Sequence, residues 1–328
     1  INFLIVKRQH TIRPDFVVAN QREINEDPGA RNTLGAITEI NALRFSADAN
    51  SKVHMSTVDT DFRFTDGSDD NGFTFSFWIN TDAIGATQHL FGFFGGEYYC
   101  QLTSGGRLYM VLRDASVGYN QFGSPQDGGD EILEGEATKW AHIVIAYTPD
   151  SDNSDSNHTE QVQFYKNGSP WGSAIVSPSD AYVAMESHAS SKFTLGNLSS
   201  TGTATTRLAG LLSNFVVYRH DGQSGRSSSV LSDANVLEVY NFGNPLSSHT
   251  KGPKQADIVG YWKLNEDVSS ATQITDHSGL NNHLDTIGSA VTTDTTSGLE
   301  INTKKTLTWA QRRMTIPGLS SLRTNPQK

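Results

Sequence analysis

The 328-residue sequence contains a single cysteine, Cys100, and no apolar run long enough to cross a bilayer. One cysteine excludes an intrachain disulfide framework, and a spanning helix needs about 20 consecutive apolar residues. The stretch around Cys100 offers no base that would activate a thiolate, so we expect this side chain to be buried as a small apolar group. We therefore expect neither a membrane partner nor cysteine chemistry.

Acidic residues are absent from the C-terminal segment 301–328, which carries six Lys and Arg. Residues 36–300 carry 14 Lys and Arg against 31 Asp and Glu, and the whole chain has a net charge of -10. An acidic body argues against nucleic acid as a partner. A basic tail on an acidic body indicates docking on a neighbouring copy or another protein, and a solvated terminus has the same composition.

Helix signals are scarce, and strand signals dominate. In NGFTFSFWIN, Phe73, Phe75 and Phe77 alternate with other residues, which predicts a strand with one aromatic face buried against a second layer. The best helix signal is LSDANVLEVYNFGNP, where Ser232 or Asp233 caps a short helix. The pattern predicts an all-β fold, a two-sheet antiparallel jelly-roll sandwich with N- and C-terminal extended arms and one short helix.

Five segments follow one another in the order FTFSFWINTD, TKWAHIVIAYTPD, VQFYKNGSPWG, FTLGN and LAGLLSNFVVYRH. This order resembles that of the laminin-G-like, concanavalin A-like lectin and glucanase sandwich family, including its pentraxin branch. The resemblance covers roughly residues 36–290 and implies a recognition and packing module.

One departure from the family concerns IVGYWKLNED and ITDHSGLNNHL within residues 258–284, which resemble the piece that usually opens such a domain. Here this piece comes last, so either a second domain begins or a C-terminal strand near 258–265 closes the sandwich. Few residues follow, which favours closure. The predicted organisation is an N-terminal arm (1–35), a sandwich (36–290) and a basic C-terminal tail (291–328).

Sugar-binding sites combine aromatic platforms with polar loop residues, because sugars present both an apolar face and hydroxyl groups. The candidate carbohydrate-binding residues, all in segments that read as loops, are Trp171, Tyr98, Tyr99 and Tyr119. Three further tryptophans lie inside predicted strands and are expected in the core: Trp78, Trp140 and Trp262.

Glycoside hydrolysis needs a pair of carboxyl groups, and the nearest candidates are Glu134 and Glu136 in QDGGDEILEGEATK. That stretch has the composition of a solvated loop and lacks the middle acid of the family's strand motif. Ser278 in DHSGL matches a turn of the family, in which Asp276 is expected to bond local backbone amides. The sequence therefore favours a protein that is not an enzyme.

Calcium prefers several oxygen ligands from Asp-rich loops. The loop TDGSDDNG offers Asp66, Asp69 and Asp70 as candidate Ca²⁺ ligands, and PDSDNSD (149–155) is a second acidic loop. The pentraxin branch binds calcium through acids after its FTLG-like strand. This sequence has Asn197 and Leu198 there, so that double-calcium site is not carried over.

Sandwiches of this family with a displaced YWKL and DHSG piece resemble proteins of viral and phage particles. With two arms on an acidic body, the leading hypothesis is a virion surface component, such as a capsid decoration or fibre protein. It would assemble with neighbouring copies or other virion proteins through its arms, and bind glycans. The alternative is a secreted, monomeric carbohydrate-binding module. Either hypothesis places the protein on a virion or outside the cell.

Overall fold

The chain folds into strands that form two antiparallel sheets, together with a short helix on the outside of one sheet. In chain order the strands are β1 (Ile40–Phe45), β2 (Lys52–Met55), β3 (Gly72–Thr81), β4 (Gln88–Phe93), β5 (Tyr98–Leu102), β6 (Leu108–Asp114), β7 (Gly118–Gly123), β8 (Ala141–Thr148), β9 (Gln161–Lys166), β10 (Ser169–Pro170), β11 (Ile175–Val176), β12 (Phe193–Leu195), β13 (Gly210–His220), β14 (Ile258–Trp262), β15 (Gln273–Ile274), β16 (Leu284–Ile287) and β17 (Val291–Leu299). The helix is α1 (Asp233–Tyr240), and single 3-10 turns are formed by Thr60–Phe62 and Gln255–Asp257.

The computed structural model describes part of the chain. The described residues are 40–46, 51–55, 57, 60–93, 97–114, 118–150, 159–178, 181–188, 191–198, 206–241, 252–266, 268, 272–287 and 291–299. The predicted arm (1–35), most of the second acidic loop (151–158) and segment 301–328 lie outside these residues. Within the described part, no helix combines the length and apolarity needed to cross a membrane.

The two sheets confirm the predicted antiparallel sandwich. Sheet A has the strand order β10-β9-β8-β3-β13-β1-β17, with β14 also paired to β13 and β11 to β9. Sheet B has the order β15-β16-β2-β12-β4-β5-β6-β7. Neighbours such as β3 and β13 are far apart in sequence, so the sandwich is held by long-range pairing.

The phenylalanine stripe of β3 lies between the sheets, as its alternation predicts. Phe73, Phe75 and Phe77 are fully buried, and the Phe75 ring centroid lies 4.5 Å from that of Phe91 in β4. Each such side chain contributes about 1.5–3 kcal/mol of favourable burial. Cys100 of β5 is also fully buried in this core, and burial raises the pKa of its thiol.

Helix α1 covers the outer face of sheet A. Ser232 caps its first turn, its side chain accepting from the Asn235 backbone N–H, and Asn241 ends it in a left-handed conformation with φ 46°. Its buried residues Val236 and Val239 pack with Tyr218 of β13 in a second apolar cluster. Sheet A is therefore covered on both faces, by sheet B and by this helix.

The displaced C-terminal piece lies within the sandwich. Strand β14 pairs with β13, and Trp262 is fully buried, its indole N–H donating to the Asn282 carbonyl oxygen at 2.9 Å. The Asp276 carboxylate accepts the backbone N–H groups of Tyr261, Ser278 and Asn282, which is the turn role expected of it. Because residues 291–299 form β17, paired with β1, the predicted boundary of the tail at residue 290 is too early.

Candidate functional site

Strand β5 alternates between the core and the outer surface of sheet B. Tyr98, Cys100 and Leu102 belong to the buried core. Because successive strand residues point to opposite faces, Tyr99 and Gln101 face outward, and both are half-buried. The sequence YYCQL therefore divides into an inner apolar set and an outer pair of hydrogen-bonding side chains.

Strand β7 repeats this arrangement at the edge of the same sheet. Phe122 is fully buried, whereas Tyr119 is 56% exposed and Gln121 is exposed. We call the outer surface of β4 to β7 the tyrosine face. Its side chains are those of His89, Tyr99, Gln101, Tyr109, Arg113, Tyr119 and Gln121, together with Val111, which is fully buried among its neighbours.

The register of the strands brings these side chains into rows. Tyr99 lies opposite Val111, which lies opposite Gln121, and Gln101 lies opposite Tyr109. Neighbouring strands are about 4.8 Å apart, so such a row presents an aromatic ring and an amide within the length of a disaccharide.

The aromatic rings of the face contact one another edge-on. The Tyr99 ring lies 5.4 Å from His89 at 85° and 6.2 Å from Tyr119 at 73°. Burial and then the neighbouring Tyr119 raise the pKa of Tyr99. The Tyr99 phenol therefore remains protonated at neutral pH and presents both a donor and an acceptor.

Gly92 of β4 lets a loop pack beside Tyr99. A Cβ atom at this position would lie 2.6 Å from Leu198 Cδ2 and 2.6 Å from Tyr99 Cβ. It would also lie 2.9 Å from the Tyr98 carbonyl oxygen. Only glycine therefore allows Leu198 and Tyr99 to approach this closely across the strand.

The cationic side chain of the face is paired. The Arg113 Nε atom lies 2.9 Å from Glu186 Oε2, and the Glu186 backbone N–H donates to the Arg113 carbonyl oxygen. Glu186 belongs to an extended segment, 182–188, that runs past the end of β6. The backbone N–H groups of Val183 and Ala184 in this segment donate to the Asp114 carboxylate.

Two of the four predicted sugar-binding residues meet on this face. Tyr99 and Tyr119 lie together, although in strands rather than in loops. Tyr98 is a correction: it is 1% exposed, and its hydroxyl donates to the Phe62 carbonyl oxygen at 3.0 Å, so it cannot reach a glycan. The signal that separates Tyr98 from Tyr99 is the period of two, which places neighbours on opposite faces.

Trp171 lies apart from the tyrosine face, beside β9 of sheet A. Its indole N–H donates to the Pro125 carbonyl oxygen at 2.8 Å, and the Lys166 Nζ atom lies 4.8 Å from the ring centroid. One edge and one ring face of this half-buried side chain are thus already occupied. Of the tryptophans expected in the core, Trp78 and Trp262 are buried and Trp140 is half-buried.

The predicted calcium ligands do not form one ligand set. Asp66 Oδ1 accepts the backbone N–H groups of Ser68 and Asp69, which lowers the pKa of Asp66. The Asp70 carboxylate accepts from the hydroxyls of Tyr147 and Tyr182, and from the Met185 N–H. Removal from water raises the pKa of Asp70 to about 6.

Asp66 thus stabilises its own turn, whereas Asp70 anchors segment 182–188. Across the described residues, no group of three or more His, Cys, Asp or Glu side chains is arranged to hold a metal ion. Calcium binding by the Asp-rich loop stays a prediction, and the separate roles of Asp66 and Asp70 do not favour it. The spacing of Asp residues in a turn predicts that their carboxylates are exposed. It does not predict that they point toward one ion-binding position.

The candidate catalytic acids have structural partners. Glu134 Oε2 accepts the Glu131 backbone N–H, and Glu136 Oε1 accepts from Lys166 Nζ at 3.0 Å. Both glutamates lie in turns after β7 rather than on a strand.

A buried chain of side chains has the composition of a nucleophilic triad. Thr74 Oγ1 lies 3.0 Å from His220 Nε2, and His220 Nδ1 lies 2.8 Å from Asp257 Oδ2. Thr74 is fully buried, and His220 and Asp257 are each 2% exposed, so no substrate reaches the hydroxyl. This chain connects β3, β13 and the turn before β14.

Several side chains of the face were not among the sequence predictions: His89, Gln101, Tyr109, Val111, Arg113 and Gln121. For Gln101 and Gln121 a signal was present in the pattern Tyr-x-Gln, which begins at Tyr99 and again at Tyr119. That pattern becomes a surface only when the register of β5, β6 and β7 is known.

A sequence family described as the concanavalin A-like lectin/glucanases superfamily (Laminin_G_3) matches residues 55–221. This match includes all four strands of the tyrosine face. Among proteins with curated functions, none matches the chain.

Solved structures with a similar fold have low sequence identity. A candidate carbohydrate-binding protein from Bacteroides ovatus is 14% identical with a TM-score of 0.45; 79% of this chain and 60% of that chain are covered, so the chain spans less than two thirds of it. The heptameric SAP-like pentraxin of Limulus polyphemus is 14% identical with a TM-score of 0.45. The match covers 81% of this chain and 97% of the pentraxin chain. The sialidase CBM40 of Ruminococcus gnavus, bound to α2,6-sialyllactose, is 14% identical with a TM-score of 0.37. The match covers 62% of this chain and 99% of the CBM40 chain.

Proposed function

The chain belongs to the concanavalin A-like lectin/glucanases superfamily, and we propose that it is a non-enzymatic glycan-binding protein. The observation that carries the proposal is the tyrosine face, where Tyr99 and Gln101 on β5 and Tyr119 and Gln121 on β7 flank the central strand β6, and the rings of Tyr99 and Tyr119 are in edge-on contact. A pyranose packs its C–H face on an aromatic ring. An amide pairs with its hydroxyls as both donor and acceptor.

The carboxylates near the face support binding rather than hydrolysis. Within β4 to β7, all of whose residues are described, the single carboxylate is Asp114. It is 4% exposed and accepts the backbone N–H groups of Val183 and Ala184. Glycosidases use two carboxyl groups about 5–9.5 Å apart on either side of the scissile bond. The face lacks that pair.

The proposal is tested by screening the full chain on a glycan array and measuring the best hit by calorimetry. Tyr99→Ala and Tyr119→Ala each remove a ring from the face, and each is expected to weaken binding by about tenfold or more. The matched control is Leu237→Ala, which removes an exposed apolar side chain (49%) from α1 on the opposite side of the sandwich. If the tyrosine variants bind as well as wild type, the face is not the site.

We further propose that the protein is a surface component of a virion, such as a capsid decoration or fibre protein of a phage. The charge distribution supports this: segment 301–328 is wholly basic, whereas residues 36–300 are strongly acidic. A basic segment on one copy would be attracted to the acidic body of a neighbour or of another virion protein. Glycan binding would then act on the outside of a particle.

Sedimentation of the full chain separates this proposal from a secreted, monomeric carbohydrate-binding module. An assembly that dissociates at 1 M salt is expected, because salt screens attraction between exposed charges. A variant that ends at residue 300 is expected to remain monomeric. A full chain of 35.8 kDa that sediments as a monomer at low salt contradicts assembly and leaves the monomeric module.

A further inference from the structure

The guanidinium group nearest the exposed tyrosine is neutralised within the protein. Arg113 lies directly opposite Tyr119 in the register of β6 and β7. Its Nε atom lies 2.9 Å from Glu186 Oε2, while Glu186 Oε1 lies 3.2 Å from His188 Nε2. Both Arg113 and Glu186 are about one third exposed, at 36% and 29% of their side chains. The pair thus borders the tyrosine face without presenting a net charge.

The other basic side chains at the face are also engaged. The Nε–H of Arg107 donates to the Ser124 carbonyl oxygen at 2.8 Å, and its guanidinium carbon lies 5.0 Å from the Tyr109 ring centroid. The Nδ1 atom of His89 lies 3.1 Å from the Thr206 carbonyl oxygen. Burial lowers the pKa of His89, so this imidazole is neutral at neutral pH.

Two further basic side chains lie beyond His89. Arg207 is half-buried and follows Thr206, whose carbonyl oxygen contacts His89. Lys52 lies on β2, two strands beyond β4, and is only 2% exposed. The chain as a whole has a net charge of -10, and such a charge repels anionic ligands at low ionic strength.

Resting on the proposed glycan-binding function, we propose that the tyrosine face selects uncharged oligosaccharides, and that Glu186 sets this preference by pairing with Arg113. A carboxylate or sulfate on a sugar would have to approach the guanidinium beside the Glu186 carboxylate and compete with it. The glutamate would remain close by on segment 182–188, as a like charge beside the ligand. Tyrosine and glutamine side chains meet neutral hydroxyls without such a cost.

The first experiment uses a printed array of matched glycan pairs. Each pair contains a neutral oligosaccharide, such as lactose, N-acetyllactosamine, cellotetraose or mannotriose, and the same core carrying a sialic acid, uronic acid or sulfate. Wild type is expected to bind a neutral member about tenfold or more tightly than its acidic partner, a difference of about 1.4 kcal/mol. That preference is expected to shrink as salt is raised, because only the repulsion of the acidic member is screened.

The second experiment changes the charge balance at the face. Glu186→Gln removes the carboxylate that faces the Arg113 guanidinium and is expected to raise binding of the acidic member by about three- to tenfold at low salt. Glu238→Gln is the matched control: it removes the same charge from an exposed position on α1, at the opposite side of the sandwich. The double variant Glu186→Gln with Arg113→Gln is expected to return to the neutral preference, which distinguishes charge from loss of the segment's structure.

The outcomes separate the two proposals. If wild type prefers acidic members, or if Glu186→Gln and Glu238→Gln behave alike, the charge-selection proposal is overturned while glycan binding stands. If wild type binds no oligosaccharide in either set, the glycan-binding function fails and the selection fails with it. A neutral preference that Glu186→Gln weakens and the double variant restores supports both.

Discussion

The outer faces of the two sheets carry similar side chains in different surroundings. On sheet A, Tyr165, Tyr218 and Tyr261 are buried, with exposures of 5%, 0% and 0%, in the cluster that includes α1. On sheet B, Tyr99 is half-buried and Tyr119 is 56% exposed. Among the described residues, a tyrosine on the outside of this sandwich is therefore a packing residue beneath α1 on sheet A and a more exposed residue on sheet B.

The covered face also satisfies its hydroxyl groups within the protein. Tyr165 donates to Asp233 Oδ1 at 2.9 Å, and Tyr261 donates to Asn214 Oδ1 at 3.3 Å. Buried phenols need such partners, since an unmade hydrogen bond costs about 1–3 kcal/mol. At the exposed Tyr119 that partner is solvent or a ligand. The covering layer, rather than residue type, decides which face is available for recognition.

The largest expected effect comes from truncating one tyrosine on each face. Tyr218→Ala removes a fully buried ring between β13 and α1 and is expected to lower the free energy of unfolding by about 3–5 kcal/mol. Tyr119→Ala removes an exposed ring, and a change within about 0.5 kcal/mol is expected. Urea unfolding followed by tryptophan fluorescence measures both. Equal losses would contradict the distinction between a covered and an open face.

The second prediction concerns Glu97, which helps to hold segment 182–188 beside the open face. Glu97 is fully buried; its Oε1 atom accepts the His188 N–H at 3.4 Å, and Oε2 has no hydrogen-bond partner among the described residues. Burial raises the pKa of Glu97 to about 8, although Arg63 opposes this shift and Asp70 adds to it. At neutral pH the buried group is therefore mostly protonated.

A raised pKa fixes the sign of the pH dependence. The folded protein binds this proton more tightly than the unfolded chain, so the stabilisation is complete below pH 4.5, the ordinary pKa of the group. It is lost as pH rises from 4.5 to about 8, by a few kcal/mol in all at about 1.4 kcal/mol per pKa unit. Glu97→Gln is expected to reduce this pH-dependent loss in the free energy of unfolding.

Amide hydrogen exchange at pH 6 and pH 9 shows which part of the chain is destabilised. Measured rates are first divided by the intrinsic exchange rates, which themselves rise with pH. The amides of Val183, Ala184 and His188 are expected to lose protection at pH 9, whereas those of α1 are expected to keep theirs. Uniform loss in both regions, or a Glu97→Gln variant with the wild-type profile, would show that Glu97 does not govern the segment.

Sequence patterns predicted the structure correctly where the interacting residues are close together in the chain. The phenylalanine alternation predicted β3 and its buried face, and the Ser232 cap predicted the start of α1. The Asp276 turn was predicted because its partners Ser278 and Asn282 follow within a few residues. In each case the sequence signal lies within a short stretch, although Asp276 also accepts the more distant Tyr261 N–H.

The candidate site depends on contacts that no local pattern contains. Arg113 and Glu186 are distant in sequence and meet only because segment 182–188 crosses the end of β6. The sequence pattern also led to the prediction that Tyr98 and Tyr99 share one loop, whereas both lie on strand β5. A loop prediction does not reveal that their side chains point to opposite faces of the sheet. The role of Asp70 was missed for a related reason: its carboxylate faces two tyrosines that belong to other segments.

Gly92→Ala is expected to have the smallest of the three effects on stability. It adds a methyl group on β4, beside Tyr99 of the tyrosine face. The added methyl group would meet Leu198 Cδ2 and Tyr99 Cβ at 2.6 Å, and the Tyr98 carbonyl oxygen at 2.9 Å. Relief requires Leu198 and Tyr99 to shift, so we expect a loss of about 1–3 kcal/mol in the free energy of unfolding. Glycan binding is expected to weaken as well, because Tyr99 moves relative to Tyr119.

The matched control is Gly85→Ala, in a position where an added Cβ has no neighbour within 4 Å. That variant is expected to unfold within about 0.5 kcal/mol of wild type and to bind glycans normally. If Gly92→Ala loses stability but binds as wild type does, the position of Tyr99 is not critical for recognition. The open face would then tolerate movement that the covered face of sheet A, packed on both sides, does not.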